Sequence, residues 1–90
     1  MPYIKPDQRA RVDTYGPATP GELNYAITRL ISRYMPQMRQ HLSYEALNEV
    51  LGALEGAKLE FVRRVVVPYE DRKRAENGDV YNPVCVEKEA

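Results

Sequence analysis

The chain has few of the residues from which catalytic and metal-binding sites are built. Its 90 residues include one cysteine, Cys85, one histidine, His41, and no tryptophan. A single thiol excludes an internal disulfide and a zinc site made of paired cysteines. His41 has no second imidazole or thiolate with which to share a metal ion, and it is typical of an exposed linker residue. We therefore expect no metal site, no cofactor and no enzymatic activity.

The chain also lacks net charge and long apolar runs. Thirteen basic and thirteen acidic residues cancel, which argues against general electrostatic binding to nucleic acid or to an anionic membrane. No apolar stretch approaches the roughly 20 residues that cross a bilayer, and the N-terminus lacks the apolar centre of a signal peptide. We expect a cytoplasmic protein, in a bacterium or in an infected host cell, with no membrane partner.

The sequence does contain clear helical periodicity, which predicts a first helix at about residues 20–35. Thr19 and Glu22 have the spacing of a capping box, in which the Thr19 hydroxyl accepts from the third amide and Glu22 reaches back to the amide of the cap. Pro36 disfavours helical geometry at the residue before it, so we expect the helix to end there. Apolar side chains recur at helical spacing on one side: Leu23, Ile27, Leu30 and Tyr34.

The segment between Ser43 and Pro68 is the most informative part of the chain. Ser43 is a favourable N-cap, and the periodicity predicts one helix over residues 43–67 with two apolar stripes on different sides. The link to the first helix is short, so we expect an antiparallel helical hairpin in which the first stripe packs on the first helix. This first stripe contains Leu47, Val50, Leu51, Leu54, Ala57, Phe61 and Val65.

The second stripe contains two glycines, Gly52 and Gly56, four residues apart. Glycine inside a helix costs about 1 kcal/mol relative to alanine, and the close approach of another helix would compensate that cost. The alternative is that the glycines make room for a bulky side chain of the same chain. Because so short a chain has a thin core, we expect a homo-oligomer. Its candidate interface residues are Gly52, Gly56, Leu59, Val62 and Val66.

The end of this helix is open to a second interpretation, because Val65-Val66-Val67 favours a strand by propensity. After it, the sequence predicts a short third helix at about residues 68–76, which Asn77-Gly78 would end. The overall prediction is an all-α domain at residues 19–78.

Both ends of the chain are predicted to be arms. Residues 1–18 are expected to be extended, with about two helical turns available from Pro6. Residues 79–90 are expected to form a tail.

One cluster of side chains has the chemistry of a ligand site. Residues 63–74 contain five bases; arginine offers a two-pronged donor for phosphate, and tyrosine offers a stacking face. The alternative is a set of surface ion pairs, since four acidic residues lie nearby. Glu45 and Glu49 are four residues apart and could bind a divalent ion. The alternative is that they lie on an ordinary solvated helix face. The candidate ligand residues are Arg63, Arg64, Tyr69 and Arg72.

Two segments, GELNYAITRL at 21–30 and PYEDRKRAENGDVY at 68–81, resemble a small uncharacterised protein family of phages and of bacteria that carry prophages. The resemblance covers residues 19–81 and implies a compact, phage-borne accessory protein without an assigned activity. We therefore expect a non-enzymatic binding module that acts on a host protein. The alternative is a sponge that sequesters a small phosphorylated, cyclic nucleotide at a subunit interface.

Overall fold

The computed structural model describes residues 1–38 and 42–86 of the chain, and these residues form helices without strands. The all-α prediction is confirmed. The chain divides into two compact units, residues 1–51 and residues 52–90. The predicted domain limits at 19 and 78 stay predictions. The helices are α1 (Pro6–Tyr15), α2 (Pro20–Met38), α3 (Tyr44–Phe61), a π-helical turn (Val62–Val66), α4 (Val67–Asn77) and a 3₁₀ turn (Pro83–Cys85).

The N-terminal arm is helical over Pro6–Tyr15, which is longer than the two turns expected from Pro6, so the arm is not extended there. Pro6 occupies the first helical position, where its missing N–H has no partner to lose, and Asp7 lies in the first turn. Gly16, with φ of 88°, ends α1 and donates its N–H to the carbonyl of Val12. A ten-residue helix is marginal by itself in water. α1 forms because it packs on α2.

The second helix runs past Pro36 to Met38, so the predicted end at Met35 is wrong. A proline disfavours helical geometry at the preceding residue without forbidding it. It also removes one N–H from the helical ladder. The described part of α2 continues for two residues after Pro36, to Met38.

Residues 44–77 are helical throughout, which joins the two helices predicted at 43–67 and 68–76 into one run. The segment Val65–Val67 is helical, not a strand. The π-helical turn explains how the run passes Pro68, whose ring crowds the carbonyl four residues earlier. In this wider turn the N–H of Val67 donates to the carbonyl of Val62, five residues back. The backbone hydrogen bonds have therefore already shifted from the four-residue spacing to the five-residue spacing at the residue before Pro68.

The predicted antiparallel hairpin is not confirmed. In the part of the chain that the structure describes, contacts between elements join α1 to α2 and the π-helical turn to α4. Part of the expected link, residues 39–41 with His41, lies outside the described residues. The large side chains of the first stripe are exposed. Within the described ranges, no helix has both the length and the apolar character needed to cross a bilayer.

Candidate interaction surface

Most large apolar side chains in the described part of the chain are exposed to solvent. The buried residues there are Val12, Tyr25, Ala46 and the acidic Glu22. On α2, Leu23 is 52% exposed and Leu30 is 69% exposed, although both belong to the predicted apolar stripe. Monomeric proteins rarely leave large contiguous apolar patches open to water. The exposed apolar side chains of these helices are therefore a candidate interaction surface.

The second predicted stripe lies entirely in the unit formed by residues 52–90; we call Gly52, Gly56, Leu59, Val62 and Val66 the glycine face. A Cβ atom built on Gly52 or Gly56 meets nothing within 4 Å. The glycines therefore do not make room for a described side chain of their own chain, and that alternative is not supported. Leu59 is 57% exposed, while Val62 and Val66 are half-buried.

The candidate ligand residues lie on consecutive elements of the same unit, Arg63 and Arg64 on the π-helical turn and Tyr69 and Arg72 on α4. The guanidinium carbon of Arg72 lies 5.4 Å from the centre of the Tyr69 ring, and the Nζ atom of Lys73 lies 5.7 Å from it. Both distances are in the range of cation–π attraction. The structure therefore brings two cations to one exposed aromatic ring.

The rest of this cluster is engaged in surface ion pairs. The guanidinium of Arg63 donates to both carboxylate oxygens of Glu60, at 2.8 and 2.9 Å. Lys73 pairs with Glu76 at 3.3 Å. Arg63, Glu60 and Glu76 are exposed and Lys73 is half-buried, and ion pairs in contact with water contribute little to stability. The ion-pair interpretation thus holds for part of the cluster. Arg64, the next residue after Arg63, is an exposed base.

Two shallow pockets lie elsewhere. One, of about 420 Å³, is lined by α4 and the segment that follows it, including Lys73, Arg74 and Tyr81. It contains none of the four candidate ligand residues. The other, of about 290 Å³, lies between α1 and α2 and is lined by Val12, Leu30, Arg29 and Arg33, among others. Sequence reasoning did not find this second pocket, because its walls come from segments that no local pattern connects.

Sequence reasoning also missed a buried carboxylate, that of Glu22, which is 2% exposed. Its Oε2 accepts from Gln8 at 2.7 Å and from the guanidinium of Arg11, and its Oε1 accepts from the N–H of Ala18 at 2.9 Å. We call these four residues the Glu22 cluster. The hydrogen bond from Gln8, followed by those from Ala18 and Arg11, lowers the pKa of Glu22 to about 2. Glu22 is therefore a charged structural anchor between α1 and α2.

The predicted capping box is half correct. The Thr19 hydroxyl accepts from the N–H of Glu22 at 3.2 Å, as predicted. The Glu22 carboxylate binds Ala18 and α1, and does not reach back to the amide of Thr19.

A second polar contact joins the same two helices. The Tyr25 hydroxyl donates to the carboxylate of Asp13, at 2.9 Å to the nearer oxygen. Burial, and then the hydrogen bond to Asp13, raises the pKa of Tyr25 above its ordinary value. Tyr25 therefore stays neutral and acts as a donor at physiological pH.

The structure adds no support for a metal site in the segments it describes. There, no three histidine, cysteine or acidic side chains come together to hold an ion, Glu45 and Glu49 included. Cys85 is a free, exposed thiol.

The chain belongs to the family described as Domain of unknown function (DUF6899), which matches residues 1–80. Comparison with curated proteins and with solved structures gave no match. The family match includes α1, which the resemblance at residues 19–81 did not reach. It identifies an uncharacterised domain family and says nothing of a phage source.

Proposed function

We propose that this protein is a non-enzymatic binding module that self-associates and acts by covering a surface of a host protein. The observation behind the proposal is the exposure of the apolar side chains on α2 and α3, such as Leu30 at 69% and Leu51 at 62%. Burial of apolar surface stabilises association by about 25 cal/mol per Å². Side chains this open in a single copy can therefore contribute to binding at little cost in folding.

The remaining parts of the proposal follow from the same exposed stripes. The antiparallel hairpin is the competing use of these side chains, because α2 packed on the first stripe of α3 would cover both within one chain. The host-protein target places the module in the cytoplasm, where a phage-borne accessory protein meets host proteins. Exposed tyrosine and arginine, both common at the centres of binding interfaces, would anchor the contact.

Self-association is tested by light scattering on purified protein over a range of concentrations. The expected mass is that of at least two chains at micromolar concentration. A single-chain mass at every concentration would contradict the self-association.

Host binding is tested by co-purification with Leu54→Asp as the matched variant, since Leu54 on the first stripe is 38% exposed. A host protein held in fixed stoichiometry by the wild type and lost by this variant is the expected result. Absence of any partner in fixed stoichiometry contradicts the host-protein target.

A second function, sequestration of a small phosphorylated nucleotide, is favoured by one observation. Arg72 and Lys73 both lie within cation–π distance of the exposed Tyr69 ring, so aromatic surface and positive charge coincide. A base could stack on the ring while Arg64 and Arg72 bind phosphate. This site would be completed at a subunit interface.

The nucleotide hypothesis predicts a ligand-dependent rise in melting temperature. A ligand at about 100 times its Kd stabilises the folded protein by about 2.7 kcal/mol. A panel of cyclic and linear nucleotides should contain at least one that raises the melting temperature, and Arg64→Ala should abolish the rise. Arg29→Ala, on α2, is the matched control and should leave it unchanged. A flat panel removes this function, and a rise lost only in Arg29→Ala would move the site to the pocket between α1 and α2.

A further inference from the structure

The glycine face is symmetric in spacing about Leu59. Gly56 and Val62 lie three residues before and after Leu59, and Gly52 and Val66 lie seven residues before and after it. In each of these pairs a residue without a side chain is matched to a β-branched one. A surface with this pattern is complementary to itself when it is reversed in direction.

Two antiparallel helices related by a two-fold axis bring each residue to the level of its mirror position in the other copy. With the axis at Leu59, Leu59 packs on Leu59 of the second copy, and Gly56 shares a layer with Val62. We propose that a second copy of this chain occupies the glycine face, antiparallel and centred on Leu59. This inference rests on the proposed self-association and adds its symmetry and register.

Glycine supplies the space that such a contact needs. A Cβ on Gly52 or Gly56 meets nothing within 4 Å in the single copy, so the isopropyl groups of Val66 and Val62 from the second copy enter open space. Helices that meet over small residues approach to the lower end of the usual range of about 8–10 Å between axes. The close approach compensates for the helical stability that the glycines cost.

Charge selects the antiparallel direction. Glu55 and Arg63 lie four residues before and after Leu59, so antiparallel copies place opposite charges at one level. Parallel copies would place Glu55 beside Glu55 and Arg63 beside Arg63, and like charges at close range destabilise. In the single copy both side chains are exposed and pair only locally, Glu55 with Lys58 at 3.9 Å and Arg63 with Glu60 at 2.8 Å. They keep enough freedom to add a contact across the two-fold axis.

Disulfide trapping tests the register directly. In the full chain with Cys85→Ser, Leu59→Cys should form a covalent dimer on mild oxidation, because central residues of such a pair lie within the Cα separation of about 4.4–6.8 Å that a disulfide needs. Val66→Cys alone should not, since Val66 lies seven residues from the axis and its two copies would be far outside that separation. An equimolar mixture of Gly52→Cys and Val66→Cys should give the mixed dimer. Non-reducing gels give the yields, and circular dichroism checks that each variant folds.

Each other outcome overturns the inference. If Val66→Cys forms a disulfide dimer with itself as efficiently as Leu59→Cys does, the two copies are parallel. Efficient linking of Ala57→Cys, on the first stripe, moves the contact to a different side of α3. A two-chain mass for the wild type without a Leu59→Cys dimer leaves self-association standing and refutes this register, whereas a single-chain mass refutes both.

Discussion

Gly56→Leu should convert the assembled protein to single chains without reducing its helix content. A leucine at this position adds a large side chain to the glycine face three residues from Leu59, where the second copy approaches. Overpacking a well-fitted contact costs about 1–3 kcal/mol, and two-fold symmetry places the added side chain in the contact twice. Since about 1.4 kcal/mol changes an equilibrium constant tenfold, the dissociation constant should rise by at least about 30-fold.

The effect on the single copy has the opposite sign. The added Cβ meets nothing within 4 Å of its own chain, and leucine favours a helix interior over glycine by nearly 1 kcal/mol. The variant should therefore show equal or higher helicity by circular dichroism together with a lower mass by light scattering. Unfolding alone cannot produce this combination, so the result separates loss of association from loss of structure.

Ala57→Leu is the matched control, because it adds a leucine one residue along the same helix but on the first stripe. Its mass should equal that of the wild type. If Gly56→Leu keeps the wild-type mass, the glycine face is not the contact between copies. If only Ala57→Leu lowers the mass, the first stripe is that contact.

The features of the fold that could be predicted are those set by neighbouring residues. Ser43 was identified as an N-cap, and its Oγ accepts from the N–H of Ala46 at 3.1 Å. Gly78 was identified as a helix end, and with φ of 89° it donates its N–H to the carbonyl of Arg74. Both signals act within one turn of helix, so the sequence contains all the residues that decide them.

The two prolines show where local rules mislead. Pro36 and Pro68 were both expected to end or restart a helix, and the helices pass both. At Pro68 the π-helical turn relieves the crowding, and the described part of α2 continues past Pro36 to Met38. A proline removes one backbone hydrogen bond from a helix. Whether the helix continues through the proline depends on geometry that the local pattern does not specify.

The candidate site was predictable only in outline. Periodicity identified which residues share a side of α3, but the exposed fraction of Leu54 or Phe61 depends on what covers them, and a pattern does not contain that information. The pairing of Arg63 with Glu60 was within reach, since acidic and basic residues three apart on a helix are neighbours. The Glu22 cluster was not within reach, because Gln8 and Arg11 lie 14 and 11 residues from Glu22.

Glu22→Gln should release α1 from α2 and should be the most destabilising conservative change in residues 1–51. All three partners of the Glu22 carboxylate are donors: Gln8, Arg11 and the N–H of Ala18. A glutamine in the same position must turn its NH₂ group toward a donor, and it leaves the guanidinium of Arg11 without its counter-charge. Arg11 is 47% exposed while Glu22 is buried, so the main cost is the loss of the hydrogen bonds that the buried carboxylate accepts.

The release of α1 has a local readout and a pH-dependent one. Trypsin should cut the variant faster than the wild type at Arg9 and Arg11, because both residues lie in α1 and become accessible when α1 is released.

Because the pKa of Glu22 lies at about 2 in the folded protein, against an ordinary 4.5, its stabilising effect is complete above about pH 4.5. It is lost as the pH falls through that range toward 2. The difference in unfolding free energy between wild type and variant should therefore be constant above pH 5 and shrink below it.

The comparison is cleanest in the Gly56→Leu background, where single chains make the unfolding transition independent of protein concentration. Glu60→Gln is the matched control, since it is the same substitution at an ion pair with Arg63 that lies in water. It should change neither the trypsin cleavage of α1 nor the pH dependence, because exposed pairs add little stability. Equal effects of the two substitutions would mean that the Glu22 cluster does not anchor α1. A large effect of Glu22→Gln that persists unchanged down to pH 2 would mean that shape, not the charge of Glu22, joins the two helices.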